Sequence, residues 1–171
     1  MKKVYLICLL VSAIGFSQTA EETAEKKRKV EAEKATLAKP YREMEDADAK
    51  VKELIALAES ENKNIIIQVG GNWCIWCLRL NDFIQKSDEL KGLIDKNYVF
   101  YHLNWSPKNK NEKFFSQYGG NPGDKVGYPV FMILDQKGKL IHIQETGALE
   151  EGKGYGSEKI KAFLDTWKVK A

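Results

Sequence analysis

Residues 65–80 read IIIQVGGNWCIWCLRL: an apolar run, a glycine pair and two cysteines three positions apart. The β-branched run before the glycines predicts a buried strand, and the apolar residues that follow Cys77 predict a helix. Two cysteines so spaced at the first turn of a helix lie within bonding distance, and the unpaired N–H groups there favour a thiolate on Cys74. Because a thiolate attacks disulfides, this arrangement indicates thiol–disulfide exchange.

The first 17 residues have the layout of a secretory signal peptide. Two lysines precede an almost unbroken apolar stretch at residues 4–14, and small residues precede a cut ahead of Gln18. The stretch is short for a membrane span. A retained N-terminal anchor is the alternative, whereas lipid attachment at Cys8 is disfavoured because Ile7 is not a small residue.

The length and charge of the chain limit the number of domains and the kinds of ligand that we expect. One domain is expected of 171 residues. Removal of residues 1–17, which contain two lysines and no acid, reduces the formal charge from +3 to +1. A nearly neutral chain of mixed charge gives no basis for nucleic-acid binding. The cysteines left after the cut, Cys74 and Cys77, are too close in sequence to staple distant parts of a fold, so we interpret them as redox-active.

Helical and strand patterns alternate along the rest of the chain. Residues 18–44 predict a charged helical or disordered lead-in, with a spacer or partner-docking arm as the alternative, and residues 45–171 predict the domain. The domain's predicted elements are a helix at 45–61, a strand at 65–69, a cysteine-bearing helix to 93, a strand at 98–103, a short helix at 112–118, a hairpin of 130–134 and 139–144, and a last helix capped by Ser157. This order predicts an α/β fold with a mixed central sheet and helices on both faces.

On these motifs the chain resembles the thioredoxin superfamily over about residues 45–169. The resemblance is carried by the WCIWC motif at 73–77, the strand before it and the GYP tripeptide at 127–129. Residues 48–77, with a helix, an Asn-Lys turn, a strand and WCxWC, look most like the exported thioredoxin-like branch. The resemblance implies a thioredoxin-like fold and a thiol–disulfide oxidoreductase that is periplasmic or secreted.

The resemblance also implies roles for individual residues. Cys74 matches the nucleophile, and Cys77 matches the resolving thiol that releases the product. Trp73 matches the aromatic residue that shields the nucleophile from water. Trp76 either contacts substrate or packs on the surface. Pro129 matches a cis-proline that faces the disulfide.

Tyr128, just before that proline, is expected to touch substrate. Two positions depart from the family pattern. Gln68 stands where many thioredoxins have a buried aspartate that accepts a proton from the resolving thiol, and an amide cannot ionise. His102 stands where a lysine is common. We hypothesise that His102 partly takes over proton transfer, with a strand histidine of no catalytic part as the alternative.

The residues between the cysteines bear on the direction of the chemistry. Ile75 and Trp76 supply neither charge nor imidazole, which favours a reductase or exchange carrier over an oxidase. The expected partners are cysteine-containing exported proteins and a membrane electron donor, and we expect a monomer. No cofactor is expected beyond the Cys74–Cys77 disulfide, and no metal, since two sulfurs are half of a tetrahedral site. The alternative function is a redox-inactive thioredoxin-fold module that binds peptides.

Overall fold

The structure is a computed structural model that describes residues 5–152 and 154–170, with side chains described from residue 21 onward. The chain divides into two units, Met1–Leu37 and Ala38–Ala171. The predicted signal peptide lies outside the residues whose side chains are described, and it stays a prediction. Within the described residues, no helix is both long enough and apolar enough to cross a membrane.

The first unit is formed by one helix, α1 (Tyr5–Thr36). Its described side chains are rich in Glu, Lys and Ala, which favour helix. Lys26 and Lys29 pair with glutamates one turn earlier, each at 2.6 Å. The predicted charged lead-in is therefore helical as far as Thr36.

The second unit begins at Ala38, earlier than the domain boundary predicted at residue 45. The physical reason is Tyr41, whose side chain is only 3% exposed. The elements of this unit are α2 (Ala47–Glu61), β1 (Asn64–Gly70), α3 (Ile75–Gln85), α4 (Asp88–Asn97), β2 (Tyr98–Asn104), α5 (Glu112–Ser116), α6 (Gly123–Val126), β3 (Val130–Leu134), β4 (Leu140–Glu145), a 3₁₀ helix (Thr146–Leu149), β5 (Glu150–Glu151), β6 (Gly154–Tyr155) and α7 (Ser157–Trp167).

The main sheet has the strand order β2-β1-β3-β4. β1 is parallel to β2 and antiparallel to β3, and β3 and β4 form an antiparallel hairpin. Helix α2 packs on one face, and α3, α4 and α7 pack on the other. The predicted α/β fold, with a mixed central sheet and helices on both faces, is confirmed.

Strand β1 lies in the middle of the sheet and is buried at every position. Because side chains alternate along a strand, Ile65, Ile67 and Val69 enter the core beneath α2, whereas Ile66 enters the core beneath α3 and α7. Gln68 shares the face of Ile66. An uncharged polar side chain is thereby held directly under the helix that carries the cysteines.

Two details of the predicted helices are wrong. The cysteine-bearing helix does not continue to residue 93: α3 ends at Gln85, and Ser87 caps a new helix by accepting a hydrogen bond from the Leu90 N–H at 3.2 Å. In the last helix, the N-cap position is occupied by Gly156 rather than Ser157, and no side chain caps it.

Candidate active site

The turn between β1 and α3 places Cys74 at the N-cap of the helix. The Cys74 N–H donates to the Gly71 carbonyl at 3.1 Å, which closes the turn. Cys74 has extended backbone angles (φ −90°, ψ 109°), and α3 begins at the next residue. Its sulfur accepts a hydrogen bond from the Cys77 N–H at 3.1 Å. A helix N-terminus therefore points an N–H group and its partial positive charge at this sulfur, which favours a thiolate when the disulfide is reduced.

The two cysteines are joined by a disulfide, with their Cα atoms 5.2 Å apart. Cys77 is completely buried, whereas Cys74 is 7% exposed. A partner that approaches from solvent therefore reaches the Cys74 sulfur first. This order of access is the one expected of a nucleophile followed by a resolving thiol.

The loop before β3 lies beside the disulfide and contacts Cys74. The Tyr128–Pro129 peptide bond is cis, the geometry that the resemblance implied. The Tyr128 carbonyl oxygen lies 3.7 Å from the Cys74 sulfur. The next carbonyl, that of Pro129, accepts a hydrogen bond from the buried Thr146 hydroxyl at 2.6 Å. The fold thus brings Cys74 together with Tyr128 and Pro129, which lie far from it in the sequence.

Three aromatic rings, those of Trp73, Trp105 and Tyr128, form an aromatic wall beside Cys74. The Trp105 ring stacks on Tyr128 at a centroid distance of 5.4 Å, and Trp73 meets Tyr128 edge-to-face, also at 5.4 Å. The Trp73 indole N–H donates to the Trp105 carbonyl at 2.8 Å. Trp73 is nevertheless 45% exposed, so the wall presents apolar surface to solvent next to the reactive sulfur.

The Tyr128 hydroxyl is held at the edge of this wall. It donates to an Asp124 carboxylate oxygen at 3.0 Å and accepts a hydrogen bond from the Asn121 side chain. Burial raises the pKa of Tyr128 well above its usual range, so the phenol stays neutral. The ring is therefore fixed in place as an uncharged surface.

Behind the disulfide, Gln68 is completely buried. Its Nε2 atom donates to the Tyr41 hydroxyl at 2.7 Å and to the Cys77 carbonyl at 3.1 Å. Its Oε1 atom is buried without a hydrogen-bond partner among the described residues. The position at which many thioredoxins carry an acid thus holds a neutral amide that binds a tyrosine.

His102 pairs with Gln68 across β1 and β2. Its ring meets Tyr41 and Phe100 edge-on, at centroid distances of 5.2 and 5.0 Å. Burial lowers the pKa of His102 from 6.5 to about 4, and its Nε2 atom has no hydrogen-bond partner among the described residues. The histidine is therefore neutral at pH 7. The proton-transfer hypothesis uses the unperturbed pKa of histidine, and burial lowers the pKa of His102 below that value; the hypothesis stays a prediction.

Comparison with known proteins places the chain in a family. A family model described as thioredoxin-like matches residues 46–136, more than half of the chain. This chain belongs to the thioredoxin-like family. A curated relative, the disulfide bond reductase DsbH of Chlamydia pneumoniae, is 26% identical over 80 residues, which cover 42% of this chain and 45% of the relative. The chain thus matches less than half the length of that relative.

Solved structures share the thioredoxin-like fold. A disulphide isomerase from Xylella fastidiosa Temecula1 superposes with a TM-score of 0.64 at 24% identity, covering 77% of this chain and 98% of the other. The C-terminal domain of Neisseria meningitidis DsbD, in its oxidised form, superposes with a TM-score of 0.51 at 12% identity, covering 74% of this chain and all (100%) of that domain. At these identities the likeness establishes the fold alone.

Within this thioredoxin-like site, Trp76 points to a different surface from Trp73. Its ring meets Tyr155 edge-to-face at 6.1 Å, and the Arg79 guanidinium lies 4.8 Å from its centroid. The Tyr155 hydroxyl donates to the Trp76 carbonyl at 3.4 Å. Trp76 thus packs against β6 and against the buried cluster of Tyr41, Cys74 and Cys77, and among the described rings it does not contact the aromatic wall.

The described side chains can also be compared with the requirements of a metal-binding site. Among them, no group of three or more His, Cys, Asp or Glu residues is arranged to hold a metal ion. The described residues of the site do include a redox group, the Cys74–Cys77 disulfide.

Sequence reasoning missed Trp105, Tyr41 and Asn72. A signal existed for Trp105, because it directly follows β2, and the carboxyl ends of the parallel strands β1 and β2 meet at one edge of the sheet. Tyr41 gave no such signal, since it lies in an irregular segment before α2. Asn72 fixes that segment: its side chain accepts from the Tyr41 N–H at 3.2 Å and donates to the Tyr41 carbonyl at 2.8 Å.

Proposed function

We propose that this chain is an exported protein-disulfide oxidoreductase whose redox couple is Cys74 and Cys77. The observation that carries the proposal is the position of the Cys74 sulfur, at the N-cap of α3 and bonded to a buried partner. A sulfur that accepts an N–H bond at a helix N-terminus carries negative charge at reduced cost. This stabilisation increases the fraction of Cys74 that is thiolate and able to attack a disulfide. It also helps the Cys74 sulfur to leave when a disulfide to it is broken.

The proposed reaction has two displacements. The Cys74 thiolate attacks one sulfur of a substrate disulfide, a Cys74–substrate bond forms, and the other substrate sulfur leaves with the electron pair and takes up a proton. The Cys77 thiol then loses its proton, and its sulfur attacks Cys74. The Cys74–Cys77 bond forms, and the first substrate sulfur leaves as a thiolate. The substrate is reduced by two electrons, and the cysteine pair is oxidised.

The surroundings of Cys74 supply the proposed recognition of substrate. The Tyr128 carbonyl oxygen lies 3.7 Å from the Cys74 sulfur, which is the reacting atom. The backbone at Tyr128 therefore borders the position at which a substrate sulfur would bind. An extended substrate segment that lies along Tyr128 and Pro129 brings its own cysteine to that atom. Trp73 then covers the mixed disulfide and limits access of water to it.

We further propose that the protein acts as a reductase or exchange carrier rather than an oxidase. Ile75 and Trp76, between the cysteines, add no charge or imidazole that would stabilise the thiolate further. The relative from Chlamydia pneumoniae is named a disulfide bond reductase. A reductase outside the cytosol needs electrons from across the membrane, so the proposed partners are cysteine-containing exported proteins and a membrane electron donor.

Reduction of insulin disulfides with a regenerating dithiol tests the activity. The wild-type chain is expected to accelerate precipitation of the insulin B chain, and Cys74→Ser is expected to remove the acceleration completely. Equal rates for the two proteins would contradict the proposal.

The equilibrium of the pair with glutathione tests the direction. A potential of about −270 mV supports a reductase, whereas one of about −120 mV contradicts it and indicates an oxidase.

Export is tested separately by cell fractionation and mass measurement. The proposed signal peptide predicts a protein outside the cytosol whose first residue is Gln18. A cytosolic protein that keeps Met1 would contradict it.

A further inference from the structure

A buried tyrosine from outside the predicted domain lies next to the less accessible cysteine. Tyr41 forms one buried cluster with Cys74 and Cys77. Gly70 shows how close two of these groups are: a Cβ atom at that position would lie 2.5 Å from the Cys77 sulfur and 3.0 Å from the Tyr41 hydroxyl oxygen. The hydroxyl and the sulfur therefore both border the position that a side chain at residue 70 would occupy.

The hydrogen bonds of Gln68 determine which way the Tyr41 hydroxyl points. The Cys77 carbonyl can only accept, so the Gln68 atom 3.1 Å from it is the amide nitrogen. The second hydrogen of that nitrogen goes to the Tyr41 oxygen at 2.7 Å. The tyrosine oxygen is therefore the acceptor of this bond, and its own hydrogen is directed elsewhere.

Ionisation of the Cys77 thiol needs a hydrogen-bond donor near its sulfur. Cys77 is completely buried, and burial penalises a thiolate. Gln68 cannot ionise, and His102 is neutral at pH 7 with its ring against Tyr41. Tyr41 shares the buried cluster of Cys77 and has a hydroxyl hydrogen to donate.

We propose that Tyr41 is a catalytic hydrogen-bond donor to the Cys77 sulfur during resolution of the mixed disulfide, with Gln68 as the residue that positions its hydroxyl. This inference rests on the proposed exchange function. As the Cys77 sulfur attacks Cys74, the Tyr41 O–H donates a hydrogen bond to the negative charge on that sulfur, and the Cys74–Cys77 bond forms. The substrate sulfur departs with the electron pair of the broken bond and takes up the proton that Cys77 loses.

Tyr41 keeps its own proton throughout this step. Burial raises the pKa of Tyr41 far above its usual range, so the phenol does not act as a base. The mechanism therefore replaces the proton acceptor of many thioredoxins with a neutral donor. A hydrogen-bond donor stabilises negative charge on the Cys77 sulfur, whereas a carboxylate removes the proton from it.

The test is a titration of Cys77 alone in the full-length chain. In Cys74→Ser, the ultraviolet absorbance of the thiolate follows ionisation of Cys77, and the result is independent of any exchange activity. Adding Tyr41→Phe, which keeps the ring and removes the hydroxyl, is expected to move the midpoint up by about one pH unit, the size of one hydrogen bond to a charged group. In the protein with both cysteines, Tyr41→Phe is expected to slow resolution of a mixed disulfide about tenfold at neutral pH.

Tyr98→Phe is the matched control, because it also removes a buried tyrosine hydroxyl, one that donates to the Leu164 carbonyl. It is expected to leave the Cys77 midpoint unchanged. Should Tyr41→Phe fail to fold, Asn72→Ala replaces it. This substitution removes the two hydrogen bonds that hold the Tyr41 backbone but keeps every residue of the buried cluster, and a smaller upward shift is expected. An unchanged midpoint, or an equal shift in Tyr98→Phe, overturns the inference, and insulin reduction by the wild-type chain leaves the proposed function standing in that event.

Discussion

The two sulfurs of the disulfide face different surroundings. In front of Cys74 stands the aromatic wall, open to solvent at Trp73, which is 45% exposed. Behind Cys77 lie Tyr41 and Gln68, at most 3% exposed and uncharged. The front offers apolar surface and an approachable sulfur, and the back offers hydrogen bonds between buried groups. From this contrast we infer that substrate is recognised on the Cys74 side of the disulfide and that ionisation of Cys77 is controlled on the other side.

Removing the sulfur at the back is expected to have the largest effect. Under the proposed function, Cys77→Ser leaves Cys74 able to attack a substrate but unable to release it. Turnover of insulin is expected to fall to background, and a covalent adduct with substrate should accumulate on non-reducing gels and by mass. Cys74→Ser is the comparison, and it should form no adduct. Adducts in both variants would show that Cys77, despite its burial, is open to substrate.

His102, whose ring packs against Tyr41, predicts a dependence of stability on pH. Burial lowers the pKa of His102 to about 4, below its ordinary value of 6.5. As the pH falls, the unfolded chain therefore binds a proton at this histidine before the folded chain does. The stability that the neutral histidine contributes is complete above pH 6.5 and is lost progressively toward pH 4. Its size is at most about 3 kcal/mol. Urea unfolding from pH 7 to pH 4 should show a steeper loss for the wild-type chain than for His102→Leu.

Other groups titrate over this range, but they are shared by both proteins, so the difference between the curves isolates the histidine. Parallel curves would mean that the ring is hydrated in solution. Exchange rates of His102→Ala test the proton-transfer hypothesis separately: a rate and pH profile equal to those of the parent would leave the histidine a packing role only.

The front and the back of the site differ in how well the sequence predicted them. Spacing and propensity were sufficient for Cys74, Cys77 and the β-branched run of β1, whereas the cis bond at Pro129 was implied by the resemblance alone. The break between α3 and α4 was also readable from Ser87, which is followed by two acids, the usual pattern of a helix start. It was missed because apolar residues continue at helical spacing on both sides.

Tyr41 could not be predicted in the same way. It sits alone in an irregular segment, where no periodicity indicates burial. Its position depends on two hydrogen bonds to Asn72 and one from Gln68, both distant in the sequence. Contacts of this kind arise only when the tertiary fold brings separate segments together.

The aromatic wall can be weakened without a change in the disulfide. Trp105→Ala removes the ring stacked on Tyr128 but keeps the Trp105 backbone carbonyl that holds the Trp73 indole. An aromatic pair contributes about 0.5–1.5 kcal/mol, so we expect kcat/KM for a peptide disulfide to fall up to about tenfold. The potential against glutathione should stay unchanged. Trp167→Ala, in α7, is the matched control, and an equal loss of kcat/KM there would assign the effect to general destabilisation.

The smallest expected effect separates the two tryptophans of the WCIWC motif. Trp76 packs against Tyr155 and beneath Arg79, so Trp76→Leu should lower the free energy of unfolding by about 1 kcal/mol while insulin reduction stays within about twofold of wild type. Trp73→Leu should show the reverse, with activity reduced and stability nearly unchanged, because its ring is half exposed. Urea unfolding and insulin reduction measure both. If Trp76→Leu impairs activity more than Trp73→Leu does, substrate contacts extend over α3, and recognition is not confined to the wall in front of Cys74.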